Sequence, residues 1–191
     1  MRSEFARLFE IALDAARAQG VHDLEVILSG EDASLTRSCF ASAGIPLIDN
    51  NRIFVTPDRR LASFADAGLC IAGVGDYMED ATRFDAALAY VPEAMPRLML
   101  SHNPDAAEDR DLLALNPRID LMISGHTHGG QVRFPVVGSM IVPSRYGQKY
   151  AMGLVKGPVC DVFVSRGIGT TILPIRFNVP AEVAVIELRA G

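Results

Sequence analysis

The sequence predicts an α/β fold built as a layered sandwich with mixed sheets. Two observations carry this. Residues 69–74, 97–101 and 120–124 are short, nearly continuous apolar runs separated by helical patterns, as strands covered on both faces would be. After Gln131 that alternation ends, and five strand-like runs follow one another without long helices.

Each element has its own signal. Ser3 is placed to cap a first helix with Phe5, Leu8, Phe9, Ala12 and Ala16 at helical spacing, closed by Gly20. A β-prone run over 24–28 follows, then a helix from near Ser34 to Ala43, stopped by Gly44 and Pro46. Residues 45–48 read as a short strand before a turn at Asp49, Asn50 and Asn51. Strand 69–74 leads to a helix over 79–90. Strand 97–101 runs into His102, and Pro104 opens a helix with Ala107, Leu112 and Leu115 as its apolar positions. Strand 120–124 runs into Gly125 and His126. The later strands are expected over 132–134, 140–142, 160–165, 172–177 and 182–188. No repeat, linker or low-complexity tract divides the chain, so a single domain over 1–191 is expected.

Composition narrows the function classes. With 191 residues, 49% hydrophobic and 21% charged, the chain has the make-up of a globular protein with a real core. No stretch approaches the roughly 18–20 apolar residues of a membrane helix. Glu4, Arg7, Glu10 and Asp14 interrupt the amino-terminal apolar positions, unlike a signal peptide, so a cytoplasmic location is expected. The net charge of −5 offers no electrostatic footprint for duplex nucleic acid, although an acidic chain still binds phosphate where a metal supplies positive charge. Cys39, Cys70 and Cys160 are odd in number, widely spaced and set among apolar neighbours; they read as small buried hydrophobes rather than disulfides or zinc thiolates.

Chemistry points to the histidines. Of the four, His102, His126 and His128 directly follow predicted strands, and the last two form an H-x-H pair. On extended backbone that spacing puts both imidazoles on one side, and the surrounding glycines allow close approach. Parallel strands bring such carboxyl ends to one edge, where α/β sheets place their sites. Imidazole suits zinc and iron, with manganese acceptable where carboxylates help.

Ser124-Gly125-His126-Thr127-His128-Gly129-Gly130-Gln131 resembles the last motif of calcineurin-like metallophosphoesterases, in the subgroup whose signature ends GHTHGGQ. Leu100-Ser101-His102-Asn103-Pro104-Asp105 resembles the preceding histidine motif, and 72–74, 143–147 and 165–169 are similar too. The likeness covers roughly residues 43–188, the carboxy-terminal half of the family pattern. It implies an α-β-β-α sandwich and hydrolysis of phosphate mono- or diesters at two divalent ions, Mn, Zn or Fe. By resemblance, His102 and His126 bind one ion and His128 the other, while Arg145 and Tyr146 belong to a loop over the substrate.

The family's earlier D-x-H has no counterpart here. Gly75-Asp76-Tyr77-Met78-Glu79-Asp80 falls too late to be its G-D-x-x-D, and reads as an acidic loop and helix start. In place of G-N-H-D stand two altered versions. Gly20-Val21-His22-Asp23 offers His22 as a general acid, against its reading as a surface histidine. Gly30-Glu31-Asp32-Ala33 offers Glu31 or Asp32 as oxygen ligands, against solvated turn residues. Two expectations compete: a phosphoesterase using a single ion or a partner's ligands, and a non-catalytic module that oligomerises through an exposed sheet edge. A serine or cysteine hydrolase has no G-x-S-x-G elbow to support it.

Overall fold

The computed structural model describes residues 37, 40–78, 80–172 and 174–189. The expected first helix, the strand over 24–28 and the candidates His22, Glu31 and Asp32 lie outside them. The described residues up to Leu47 belong to one compact unit and those from Ile48 onward to another. In the first, residues 40–42 are helical, and Gly44 at φ 70° turns the chain out, its N–H donating to the Ala41 carbonyl (3.1 Å). No strand forms over 45–48.

In the second unit, seven strands among the described residues make one mixed sheet. In chain order these are β1 (Asn51–Val55), β2 (Leu61–Ala62), β3 (Leu69–Gly73), β4 (Arg97–Leu100), β5 (Leu121–Ser124), β8 (Gly153–Lys156) and β9 (Asp161–Val164). Their spatial order is β2-β1-β3-β4-β5-β9-β8. The middle of the sheet is parallel: β3 with β4, β4 with β5, β5 with β9. The flanks are antiparallel, β1 with β2 and β3, and β8 with β9. β6 (Arg133–Phe134) and β7 (Gly138–Ser139) form a separate two-stranded ribbon. The α/β architecture is the one the apolar runs predict.

Burial explains why those runs are strands. Cys70 and Ala72 of β3, Met99 of β4, Met122 of β5, and Val162 and Val164 of β9 are all fully buried. Ile71, Leu121, Ile123 and Phe163, pointing the other way, are half-buried. The covering of both faces expected from the sequence is met in β4, where Leu98 on the other face is buried as well as Met99, and is only partial in β3, β5 and β9. Helix α1 (Phe84–Leu88) contributes Phe84, Ala87 and Leu88 to the core, the i, i+3, i+4 stripe of an amphipathic turn.

Helices are shorter than expected, for local reasons. The helix over 79–90 is reduced to α1, which ends where Tyr90 takes φ 59° ahead of Pro92. The helix opened by Pro104 is split into a 3₁₀ turn, Pro104–Glu108, and α2, Arg110–Leu115. Asp109 divides them: its backbone is extended, and its side chain accepts from Asp111 N–H to cap the second piece.

Besides 45–48, three expected strands are absent among the described residues. Residues 140–142 and 182–188 form none, and 172–177 contribute only a bridge between Val132 and Phe177. A strand needs a neighbour to take its N–H and C=O groups, and among the described residues none runs alongside 182–188. Val183 and Val185 there remain 72% and 74% exposed. No helix among the described residues is long and apolar enough to cross a membrane.

Candidate metal centre

The parallel strands decide where the candidate residues fall. β3 ends into Val74-Gly75-Asp76, β4 into Ser101-His102, β5 into Gly125-His126 and β9 into Ser165-Arg166. Because these strands are parallel neighbours, the four exits lie along one edge. Pairing persists past the strand ends: Val74 N–H donates to Leu100 O (3.1 Å), Ser101 N–H to Ile123 O (3.1 Å), Gly125 N–H to His102 O (3.0 Å) and Ser165 N–H to Ser124 O (2.8 Å).

His102 and His126 meet edge to face, ring centroids 5.3 Å apart at 78°. A Cβ on Gly125 would lie 3.9 Å from His102 Nδ1, so the His102 ring sits over the start of the following turn. Burial depresses the pKa of both rings below the ordinary 6.5. For His102 the neighbouring His126 adds to the effect; for both rings the nearby Asp76 carboxylate opposes it. Both imidazoles are thus held neutral with a lone pair to offer. The His126 ring also hydrogen-bonds the backbone of Pro143, the kind of outer contact that orients a metal-binding imidazole.

The H-x-H turn is not extended, contrary to the spacing argument. His126 and His128 take φ 65° and 51°, with Thr127 right-handed between them. Gly129, Gly130 and Gln131 continue at positive φ. Such a run is costly for non-glycine residues and persists only where surroundings fix it. Thr127 is 1% exposed, and its hydroxyl donates to Ala151 O (2.9 Å). Ser139 Oγ donates to Gly129 O (2.8 Å). His128 Nδ1 contacts Gly169 O at 2.9 Å, while its ring stays near enough to the other two to act electrostatically on both. Arg176 anchors the Gly169 loop by donating to the Arg166 (2.8 Å) and Gly167 (3.0 Å) carbonyls, and to Gly169 O.

Two carboxylates matter beside the histidines. Asp76, read from sequence as part of an acidic loop, is 4% exposed, and its charge acts on both His102 and His126. Its signal was its place directly after a buried strand, as with the two histidines. Asp105 is 3% exposed and accepts from Ser144 Oγ (2.5 Å) and Arg145 N–H (2.8 Å). That fixes the 143–146 loop across a cleft of about 390 Å³ whose lining mixes polar side chains, His126, Asn103 and Arg145 among them, with apolar ones such as Met78 and Val142. Arg145 thus stands at the cleft. Tyr146 instead packs its ring on Tyr150, centroids 5.9 Å apart. Replacing Asp105 with alanine should strand two donors of that loop and cost about 1.5–3 kcal/mol in chemical denaturation.

The other cations of this region are used structurally. Arg166 pairs with Glu182, and Lys149 pairs with Glu108 at 2.5 Å. The described cysteines are inert: burial raises the thiols of Cys70 and Cys160 to about 11.

The donors fit one part of a metal site. Two adjacent neutral imidazoles, one oriented from behind, suit a divalent ion. Among the described residues, however, no group of three or more His, Cys, Asp or Glu side chains is arranged to hold an ion. What this unit brings together is the imidazole pair of His102 and His126.

The depressed histidines carry a pH dependence with a definite sign. The unfolded chain takes up protons near 6.5 while the folded rings resist until lower pH. Their contribution is complete above pH 6.5 and lost as pH falls through the lower folded pKa values. Thermal melts of metal-free protein should show Tm declining from about pH 6.5 downward, and His102→Gln with His126→Gln should remove that part of the decline.

The curated relatives of this chain carry metallophosphoesterase or phosphodiesterase names. The chain is 34% identical over 120 residues to the uncharacterized metallophosphoesterase YkuE of Bacillus subtilis (strain 168), covering 63% of this chain and 40% of the relative. It is 33% identical over 171 residues to the phosphodiesterase YaeI of Escherichia coli (strain K12), covering 88% of this chain and 56% of the relative. An uncharacterized metallophosphoesterase of Helicobacter pylori (strain ATCC 700392 / 26695) is 35% identical over 127 residues, covering 63% and 32%. No protein-family model and no solved structure matches the chain. The chain belongs to the calcineurin-like metallophosphoesterases. It spans between about a third and just over half the length of these relatives.

Proposed function

We propose that this chain carries the carboxy-terminal half of a metal-dependent phosphoesterase centre acting on phosphate mono- or diesters. The observation that carries the reading is the pair of neutral, edge-to-face imidazoles His102 and His126 at the exits of adjacent parallel strands. An ion held there supplies an activated water and polarises the phosphoryl oxygen. The chain's own residues then have separate tasks. His102 and His126 present lone pairs, and Pro143 orients the second ring. Asp76 places negative charge beside both. Arg145 faces the cleft from a loop clamped by Asp105 and offers a cation to a bound phosphate. His128, whose Nδ1 contacts Gly169 O, would by family resemblance hold a second ion.

Manganese, zinc or iron is the ion this donor set suits, and a cytoplasmic location fits the absence of a spanning helix among the described residues. Metal content of the purified chain and turnover of bis-p-nitrophenyl phosphate test the reading. Metal-stimulated turnover is expected; none with manganese, zinc, iron or nickel in excess of protein would refute it.

One observation favours a second reading, an interaction module. The segment 182–188 exposes Val183, Val185, Ile186 and Leu188 and pairs with no strand among the described residues. On this reading light scattering finds a self-associated species with weakly bound metal; a monomer that binds metal tightly argues against it.

A further inference from the structure

A second cavity, of about 460 Å³, lies on the other side of the same turn, lined by Thr127, Gln131, Phe134, Ile141, Pro143 and Ile175 among others. It is almost wholly apolar, within the size range of small-molecule sites. Its few polar side chains are already engaged. The Thr127 hydroxyl is given to Ala151 O, and the Gln131 side-chain amide donates to Thr171 O (3.0 Å) and accepts from Thr171 N–H. That reciprocal pair locks the Thr171–Ile175 wall to the histidine turn. Pro143 is a wall of both cavities, and its backbone holds the His126 ring. A cleft that carries His126, Asn103, Asp105 and Arg145 therefore adjoins, through Pro143, an almost wholly apolar chamber.

We infer that the site takes amphipathic phosphate esters, with the phosphate in the cleft at His126 and Arg145 and one aliphatic chain in the apolar chamber. This rests on the phosphoesterase reading above. The lining is mainly branched aliphatic, Val132, Ile141, Ile172 and Ile175, with Met140 and a single aromatic, Phe134. That matches a flexible chain better than a stack of rings.

The test uses alkylphosphonates from methyl to octyl, titrated calorimetrically into the full chain with and without manganese. Affinity should rise by about two- to fourfold per methylene, the upper figure being complete burial of each CH₂. Ile175→Asp and Met140→Asp, both at exposed positions, should reduce octylphosphonate to the affinity of methylphosphonate and leave the latter unchanged. A flat series overturns the inference, including the case where a second copy of the chain fills the chamber. Metal-dependent methylphosphonate binding with a flat series leaves the phosphoesterase reading standing alone. A rising series that ignores manganese and phosphonate locates the apolar site but removes its link to the metal centre, and so overturns the inference as well.

Discussion

Replacing His102 and His126 together by glutamine should abolish the proposed metal binding, an expected fall of at least about 100-fold where loss of an outer contact alone costs 10–100-fold. The physical reason is that the two imidazoles form one unit. They come from adjacent strand ends, touch edge to face at 5.3 Å, and are kept neutral chiefly by their shared burial. Removing one leaves a single donor, which holds an ion no better than a surface histidine. Isothermal titration with zinc or manganese reads the loss. Glutamine keeps a polar group of similar reach, so circular dichroism should report an intact fold. Replacing His128 alone should have the smaller effect on this ion, because its ring is turned to the Gly169 carbonyl.

Gly130→Ala should cost roughly 2–5 kcal/mol in denaturant unfolding. Gly130 sits at φ 74°, where a side chain costs about 1–2 kcal/mol. Its Cβ would come within 2.5 Å of Ser139 Cβ and 2.8 Å of the Ile141 carbonyl oxygen, an overpacking worth about 1–3 kcal/mol more. The residue in the way is backbone on one side and the buried Ser139 on the other, so little gives. Relief by moving the turn would break the Ser139 Oγ bond to Gly129 O and shift His126 and His128 with it. The substitution should therefore weaken metal binding as well as stability. Gly147→Ala, also at positive φ (58°) but with nothing within 4 Å of its Cβ, should carry only the conformational part.

Much of this was legible in the sequence. The runs ending in Gly73, Leu100 and Ser124 declared themselves as strands because their burial is decided by composition, and their parallel order followed from the helices between them. His102 and His126 were legible because they stand at two such ends. What failed were inferences about local backbone. The H-x-H pair looked extended by its spacing, but the left-handed turn that reorients His128 depends on Ala151, which accepts from the Thr127 hydroxyl 24 residues away, and on Ser139, which reaches Gly129 from 10 residues away. β1 and β8 were missed because Asn51–Val55 and Gly153–Lys156 open with polar or glycine residues and gain strand character only from their partners β3 and β9. Residues 182–188 show the converse: a β-prone apolar run gives a strand only when something pairs with it. Asp76 was hidden for a similar reason, since a carboxylate in a Gly-Asp-Tyr run resembles a solvated turn until the sheet buries it.

The pairing of His102 and His126 at one ion is tested most directly by long-range ¹⁵N–¹H spectra of the imidazole nitrogens during a zinc titration. One ring nitrogen of His102 and one of His126 should shift together and saturate at the same metal-to-protein ratio. Shifts confined to other histidines, or no shift of either ring at several equivalents of zinc, would contradict the assignment of these two residues as a metal half-site.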